Sequence, residues 1–318
     1  PDAVWFMMLM REQAVSKMLK DDLTIICPLH YRENFLDEFL EYYDDFPCKI
    51  ILTDSTDKPM SSMNYSLSKK YKDHELFPHY FESEEIIYIH EPNEVYYRKM
   101  FKALDLVETP YVVEIPDDDV IYKDAIKEVL SFLKQNQEYQ FAQGRWHCGE
   151  ELFWKEPEDF YIKTNFYSDD RLERIDRYLT VENWQAPNHC VVRTDLLKEI
   201  YGYMSQEQRL WPIRWFDKIW FFMAGYRSNY KVLDIKYGRS CPTSMLRVDQ
   251  WVNIQWMFTY PVELEHQTYW SHFKEKRRKN KSPLNQRGFI PLVEFLEKDG
   301  MKREEAFEFV EEIANRGL

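Results

Sequence analysis

The sequence predicts an α/β fold, a mainly parallel sheet flanked by helices and followed by a helical C-terminal extension. Three observations predict it. From residue 23 to about residue 240, short apolar runs of strand length alternate with segments of helical period, joined by short links. Such alternation builds parallel sheets through right-handed crossovers. One of the runs, Tyr111, Val112, Val113 and Ile115, stops at Pro116 and three consecutive carboxylates, Asp117, Asp118 and Asp119. The chain then closes on two helical patterns, at 290–298 and 302–314.

Taken in order, residues 1–20 place Trp5, Met8, Leu9, Val15, Met18 and Leu19 at the spacing of an amphipathic helix lying on the domain. The first strand is expected at 23–28 (LTIICP), leading through the polar loop LHYRENF into a helix over about 34–45. A second strand, 49–53, ends in Asp54, Ser55, Thr56 and Asp57, a cluster of turn-forming residues. A third, 85–90, precedes a helix over about 94–107, and the strand with the three Asp residues follows. Residues 123–136 (KDAIKEVLSFLKQN) are amphipathic at helical period, and 138–146 return as a strand. Residues 148–183 are acidic, aromatic and without clean periodicity, as expected of acceptor-binding loops or a lid. A strand at 189–192, a helix at 194–203, a buried helix from Asp217 to Gly225 and a strand at 231–235 complete an α/β unit over 1–240. Residues 241–318 form the helical extension, with a basic stretch at 274–287.

Bulk properties exclude several classes. The formal charge is −13, from 42 basic and 55 acidic residues, the wrong balance for a nucleic-acid binder. Twenty-two Tyr, 21 Phe and 10 Trp argue against disorder. Five cysteines, Cys27, Cys48, Cys148, Cys190 and Cys241, are scattered without CxxC or Cys/His spacing, which points to a reducing, cytoplasmic compartment. No apolar run approaches the ~20 residues of a membrane span, and the first residues, PDAVWFMMLM, lack the basic flank of a signal peptide. A start on Pro1 is expected of a chain cut from a longer polypeptide. Neither GxGxxG after the first strand nor GxxxxGK[ST] occurs, so a nucleotide would be held by side chains and a metal.

The three carboxylates carry the chemistry. They sit at the carboxyl end of a strand, where open α/β sheets bind ligands. Three acids in one turn repel one another unless a cation or several donors compensate them. Oxygen ligands on a tight turn suit Mg²⁺ or Mn²⁺, which take their remaining ligands from water and substrate phosphates. The competing reading is an Asp-rich helix N-terminus, since Asp caps helices and favours their positive end.

The ordered set of a strand ending at Pro28, a strand ending at Asp54, a helix carrying Lys99, the DDD cluster and a later Asp217 opening a helix resembles the GT-A family of glycosyltransferases, bacterial family 2-like members in particular. The resemblance covers about residues 22–240 and implies a GT-A-like, Rossmann-type sheet. It implies that Pro28, His30 and Asp54 hold the base and ribose of a nucleotide sugar, although this chain has Leu29-His30-Tyr31 where members often show Thr-Tyr-Asn. It also implies that Lys99, with Arg98 as the alternative, pairs with a donor phosphate; a solvated helix face is the plainer reading. Asp119 would ligate Mn²⁺ or Mg²⁺ directly, and Asp117 or Asp118 would face ribose or a metal-bound water, which makes Asp119 and Asp117 the expected metal residues. Asp217 would deprotonate the acceptor hydroxyl, with Trp215 and Phe216 able to stack on a sugar; an ordinary N-cap is the alternative.

The activity implied is metal-dependent, inverting transfer of a sugar from a nucleotide-diphosphate donor, a UDP-sugar first, to a carbohydrate or lipid-linked glycan acceptor in surface polysaccharide synthesis. A nucleotidyltransferase of sugar phosphates is a second class, but LHYRENF lacks the expected glycines. A non-catalytic carbohydrate-binding domain is a third. Asp234 is a lesser candidate base, His147 and His189 are candidate metal or donor contacts or packing residues, and Trp184 and Trp251 are sugar-stacking or core residues. The run KEKRRKN at 274–280 is either a contact for the inner face of an anionic membrane or a solvated loop.

Overall fold

The strands are β1 (Leu23–Leu29), β2 (Lys49–Asp54), β3 (Ile86–His90), β4 (Tyr111–Glu114), β5 (Asp119–Ile121), β6 (Tyr139–Cys148), β7 (Val191–Arg193) and β8 (Asn229–Ser240). The helices are α1 (Glu33–Tyr43), α2 (Tyr96–Asp105), α3 (Lys123–Gln135), α4 (Arg171–Thr180), α5 (Thr194–Gln206), α6 (Phe216–Arg227), α7 (Gln286–Lys298) and α8 (Arg303–Arg316). The computed structural model describes residues 19–30, 33–56, 86–117, 119–148, 168–180, 189–207, 216–240 and 286–316. The expected N-terminal helix, most of the irregular segment and the basic stretch fall outside those residues.

The eight strands of the described residues join one sheet in the order β3-β2-β1-β4-β7-β6-β8-β5. The block β3-β2-β1-β4 is wholly parallel, β6 and β8 are parallel to each other, and β7 and β5 run antiparallel to their neighbours. The α/β class and the mainly parallel sheet expected from the alternation are therefore present. β1 is buried at every position, because successive side chains feed two cores. Ile25, Cys27 and Leu29 face the core under α1 and α3, whereas Ile26 faces the core shared by α2, α5 and α6. Leu292, Val293, Leu296, Ala306 and Val310 of α7 and α8 belong to that second core, so the terminal helical pair is packed onto the sheet.

Two elements depart from the sequence expectation. Asp119 does not sit in a turn running straight into a helix; it opens β5, which pairs antiparallel with β8. The hydroxyl of Tyr43 on α1 pins that strand by accepting from Ile121 N at 3.0 Å and donating to Ile121 O at 2.9 Å. The segment expected to be irregular contains α4. Asp170 caps it, its Oδ1 accepting from Leu172 N at 2.8 Å and Glu173 N at 3.3 Å. Arg174 then reaches the end of α6, donating to Gly225 O at 2.9 Å and Tyr226 O at 3.1 Å, where a cation complements the exposed carbonyls.

Candidate active site

Successive parallel strands leave β1 in opposite directions, β2 and β3 on one side and β4 on the other. This is the reversal of strand order at which open α/β sheets form a crevice beyond the strand ends. Leu29 and Asp54 are register partners at that edge, and Ser55 N donates to Leu29 O at 3.1 Å, so the loops after β1 and β2 leave the sheet side by side. Pro28 lies buried in β1 opposite Thr53, one residue short of the strand end.

Lys99 enters beneath these loops from α2. Only 1% exposed, it donates from Nζ to Leu29 O at 2.7 Å and to Ser55 Oγ at 3.1 Å. The solvated-face reading of Lys99 is thus overturned. Burial lowers its pKa to about 8, against the pull of Asp54, Asp117 and Cys27, so the ammonium is still mostly charged at neutral pH but gives up its proton well before an exposed lysine does. Arg98, the alternative cation, lies on the exposed side of α2 and pairs with Glu94 at 3.5 Å.

Asp54, expected against base and ribose, has no exposed surface. Its carboxylate accepts from Thr56 N at 2.9 Å, Thr56 Oγ1 at 2.8 Å and Tyr88 OH at 2.5 Å. With those acceptor positions taken, Asp54 shapes the loop after β2. His30 is also buried, its Nδ1 3.0 Å from Ser55 Oγ.

Across the edge, Asp119 N donates to Pro116 O at 3.1 Å and closes the acid turn. Asp117 is 5% and Asp119 8% exposed, so neither is a solvated surface acid. Asp118 lies outside the described residues. His189, at the entry to β7, brings Nε2 to 3.5 Å from Asp119 Oδ2. Its ring stacks on Trp146 with centroids 4.8 Å apart and planes 13° apart, and its carbonyl accepts from Tyr237 OH at 2.7 Å. Burial lowers the His189 pKa although Asp119 pulls it up, so the ring is held as neutral imidazole.

Two carboxylates from one turn fit Mg²⁺ or Mn²⁺, which need one or two protein acids and leave the other positions to water and phosphate. Among the described residues no group of three or more His, Cys, Asp or Glu stands where it could hold a metal ion by itself.

Other expected residues are more scattered. Asp217 occupies the first turn of α6, as the pattern predicts, with its side chain outside the described set. His147 is a β6 residue whose backbone pairs with Arg239; its side chain is likewise outside that set, as are Trp184, Trp215, Trp251 and residues 274–280. Asp234 is 88% exposed on β8 and pairs with Arg145 at 2.9 Å, away from the acid turn's strand end. Sequence reasoning missed Ser55, Tyr88 and Glu114. Glu114, 1% exposed at the end of β4, accepts from the hydroxyls of Tyr96 and Tyr201 and so ties α2 and α5 to the strand before the acid turn. A lone acid in the apolar run YVVE was its only signal. No helix among the described residues is long and apolar enough to cross a membrane.

No protein-family model matches the chain, and no curated protein matches it. Among solved structures, the crystal structure of TarS 1–349 from S. aureus aligns at 16% identity and a TM-score of 0.49, covering 93% of this chain and 89% of that one. The same TarS segment in complex with UDP aligns at 16% identity and 0.46, and in complex with UDP-GlcNAc at 17% and 0.45, over the same shares.

Proposed function

We propose that the chain is a metal-dependent, inverting glycosyltransferase of the GT-A type that uses a nucleotide-diphosphate sugar, a UDP-sugar first, and a carbohydrate or lipid-linked glycan acceptor. The observation that carries this reading is the pair of buried acids, Asp117 and Asp119, on one turn at the strand-order reversal. Two acids two residues apart in one turn are a donor set that a divalent ion shared with a diphosphate can take, the ion's other positions going to water and phosphate.

Asp117 and Asp119 would hold Mn²⁺ or Mg²⁺, and the bound ion would neutralise charge on the departing diphosphate. Lys99 keeps the β1 and β2 loops together as the floor for the nucleotide, next to His30 and Pro28. His189 backs Asp119 and limits the rotation of its carboxylate. Asp217, in the first turn of α6, would take the proton from the acceptor hydroxyl as that oxygen bonds to the anomeric carbon and the nucleoside diphosphate leaves. Surface polysaccharide synthesis on the cytoplasmic side of the membrane is the setting consistent with such a donor.

Nucleotide release from a panel of nucleotide sugars, with Mn²⁺ and with excess chelator, tests the proposal. Release of a nucleoside diphosphate that requires the metal and falls about 10²–10⁴-fold in Asp217→Asn supports it. Release of pyrophosphate from a nucleoside triphosphate and a sugar phosphate would support nucleotidyl transfer instead. Binding of glycan without any turnover would leave a carbohydrate-binding domain.

A further inference from the structure

Both carboxylate oxygens of Glu114, the last residue of β4, accept from buried phenols of two different helices. Tyr96 OH, from the first residue of α2, donates to Oε1, and Tyr201 OH, from α5, donates to Oε2 at 2.7 Å. A buried carboxylate adds little to stability over an apolar side chain of similar volume, since desolvation offsets what its bonds contribute. It does fix a distance and a direction, where apolar contacts permit sliding. The distance fixed here separates the two halves of the candidate site. Toward the acids, Ile115 N donates to Ile26 O at 2.9 Å, and the chain passes through fully buried Ile115 and Pro116 into the turn of Asp117 and Asp119. Toward the floor, Tyr96 and Lys99 stand three residues apart on one face of α2, with Lys99 Nζ 5.9 Å from the centre of the Tyr96 ring. Lys99 in turn holds the loops after β1 and β2.

We propose that Glu114 and Tyr96 are positioning residues that set the gap between the acid turn and the loops held by Lys99, so that one diphosphate meets the divalent ion while its nucleoside rests on the floor. This inference rests on the nucleotide-sugar reading above. Its thermodynamic content is a coupling: Mn²⁺ raises the affinity for UDP by a factor that depends on the spacing of the two halves, whereas uridine, which lacks the diphosphate, engages one half alone. Tyr201 braces the second oxygen of Glu114 from α5, a helix that carries neither half.

Titration calorimetry of the full chain with UDP, with and without Mn²⁺, and with uridine tests the coupling. Tyr96→Phe and Tyr201→Phe each remove one hydroxyl from the same carboxylate and are expected to lower the urea midpoint alike. Tyr96→Phe is expected to lower the Mn²⁺-dependent gain in UDP affinity about tenfold, the size of one charge-assisted hydrogen bond, with uridine affinity retained. Tyr201→Phe is expected to keep the wild-type gain. Glu114→Gln, which keeps one acceptor oxygen, is expected to lose the gain as Tyr96→Phe does and reads the same way if that variant does not fold. An unchanged gain in Tyr96→Phe or Glu114→Gln, or an equal fall in both Phe variants, overturns the positioning role and leaves the nucleotide reading standing. A wild type in which Mn²⁺ adds nothing to UDP binding overturns the nucleotide reading and this inference together.

Discussion

Gly238 on β8 lies flat against the indole of Trp146 on β6, its register partner. A Cβ built at Gly238 would fall 2.5 Å from Trp146 Cζ3 and 2.7 Å from the carbonyl oxygen of Val120. Glycine is required here by close approach, since one obstacle is backbone and the other is wedged against His189 and Tyr237.

Gly238→Ala is therefore expected to lose about 2 kcal/mol of stability, the usual cost of forcing one methyl into a filled core. Because Gly238 also pairs with Ile121, the displacement reaches β5 and Asp119. Urea unfolding checks the first effect, and Mn²⁺ affinity, expected to weaken, checks the second.

Lys99 gives a pH signature. Its pKa is lowered by burial from 10.5 to about 8, so between those values the unfolded chain binds a proton that the native chain has shed. Stability must then rise with pH across this window and fall away as pH drops through 8. The share of Lys99 in the change from pH 8 to pH 10 is a gain of roughly 2–3 kcal/mol and should be absent from Lys99→Met. Buried Cys190, raised well above 9 by desolvation, opposes the trend inside this window, and Tyr43, Tyr230 and Tyr237, raised well above 10, oppose it at its upper end; both proteins carry these groups, so the difference between them isolates Lys99. Denaturant midpoints of the two proteins over pH 7–10 provide the comparison.

The terminal helical pair should unfold with the sheet. Leu296 is fully buried in the core that also holds Ile26 and Val112, and Asp299 accepts from Tyr226 OH at 2.7 Å and from Arg227. Leu296→Ala is expected to cost about 3–4 kcal/mol and to lower a single thermal transition seen by both tryptophan fluorescence and circular dichroism. Two separate transitions would show the pair to be an independent unit.

Much of this architecture is legible in the residue order, for physical reasons that particular segments make plain. LTIICP and KIILTD are continuous apolar runs because parallel strands are covered on both faces, and KDAIKEVLSFLKQ keeps its apolar residues on one helical face. β5 escaped because three residues, DVI, cannot display a period, and its pairing with β8 is a contact distant in sequence. α4 was hidden by its aromatic, acidic surroundings, although Asp170 and Glu173 stand at capping-box spacing before Ile175. At the site, strand ends located the acid turn and a single basic residue pointed to Lys99. Which groups those side chains meet was not readable, since Tyr88 on Asp54, Ser55 on His30 and His189 on Asp119 all join different elements.

The central claim is that Asp117 and Asp119 grip a nucleoside diphosphate through a shared divalent ion. Calorimetric titration of UDP into the wild type and Asp119→Asn, each with and without Mn²⁺, tests it most directly. The account predicts tight binding only for the wild type with metal, and a loss of at least about tenfold when either the ion or the Asp119 charge is removed. Equal UDP affinity in all four titrations, with Asp119→Asn folded, would contradict it.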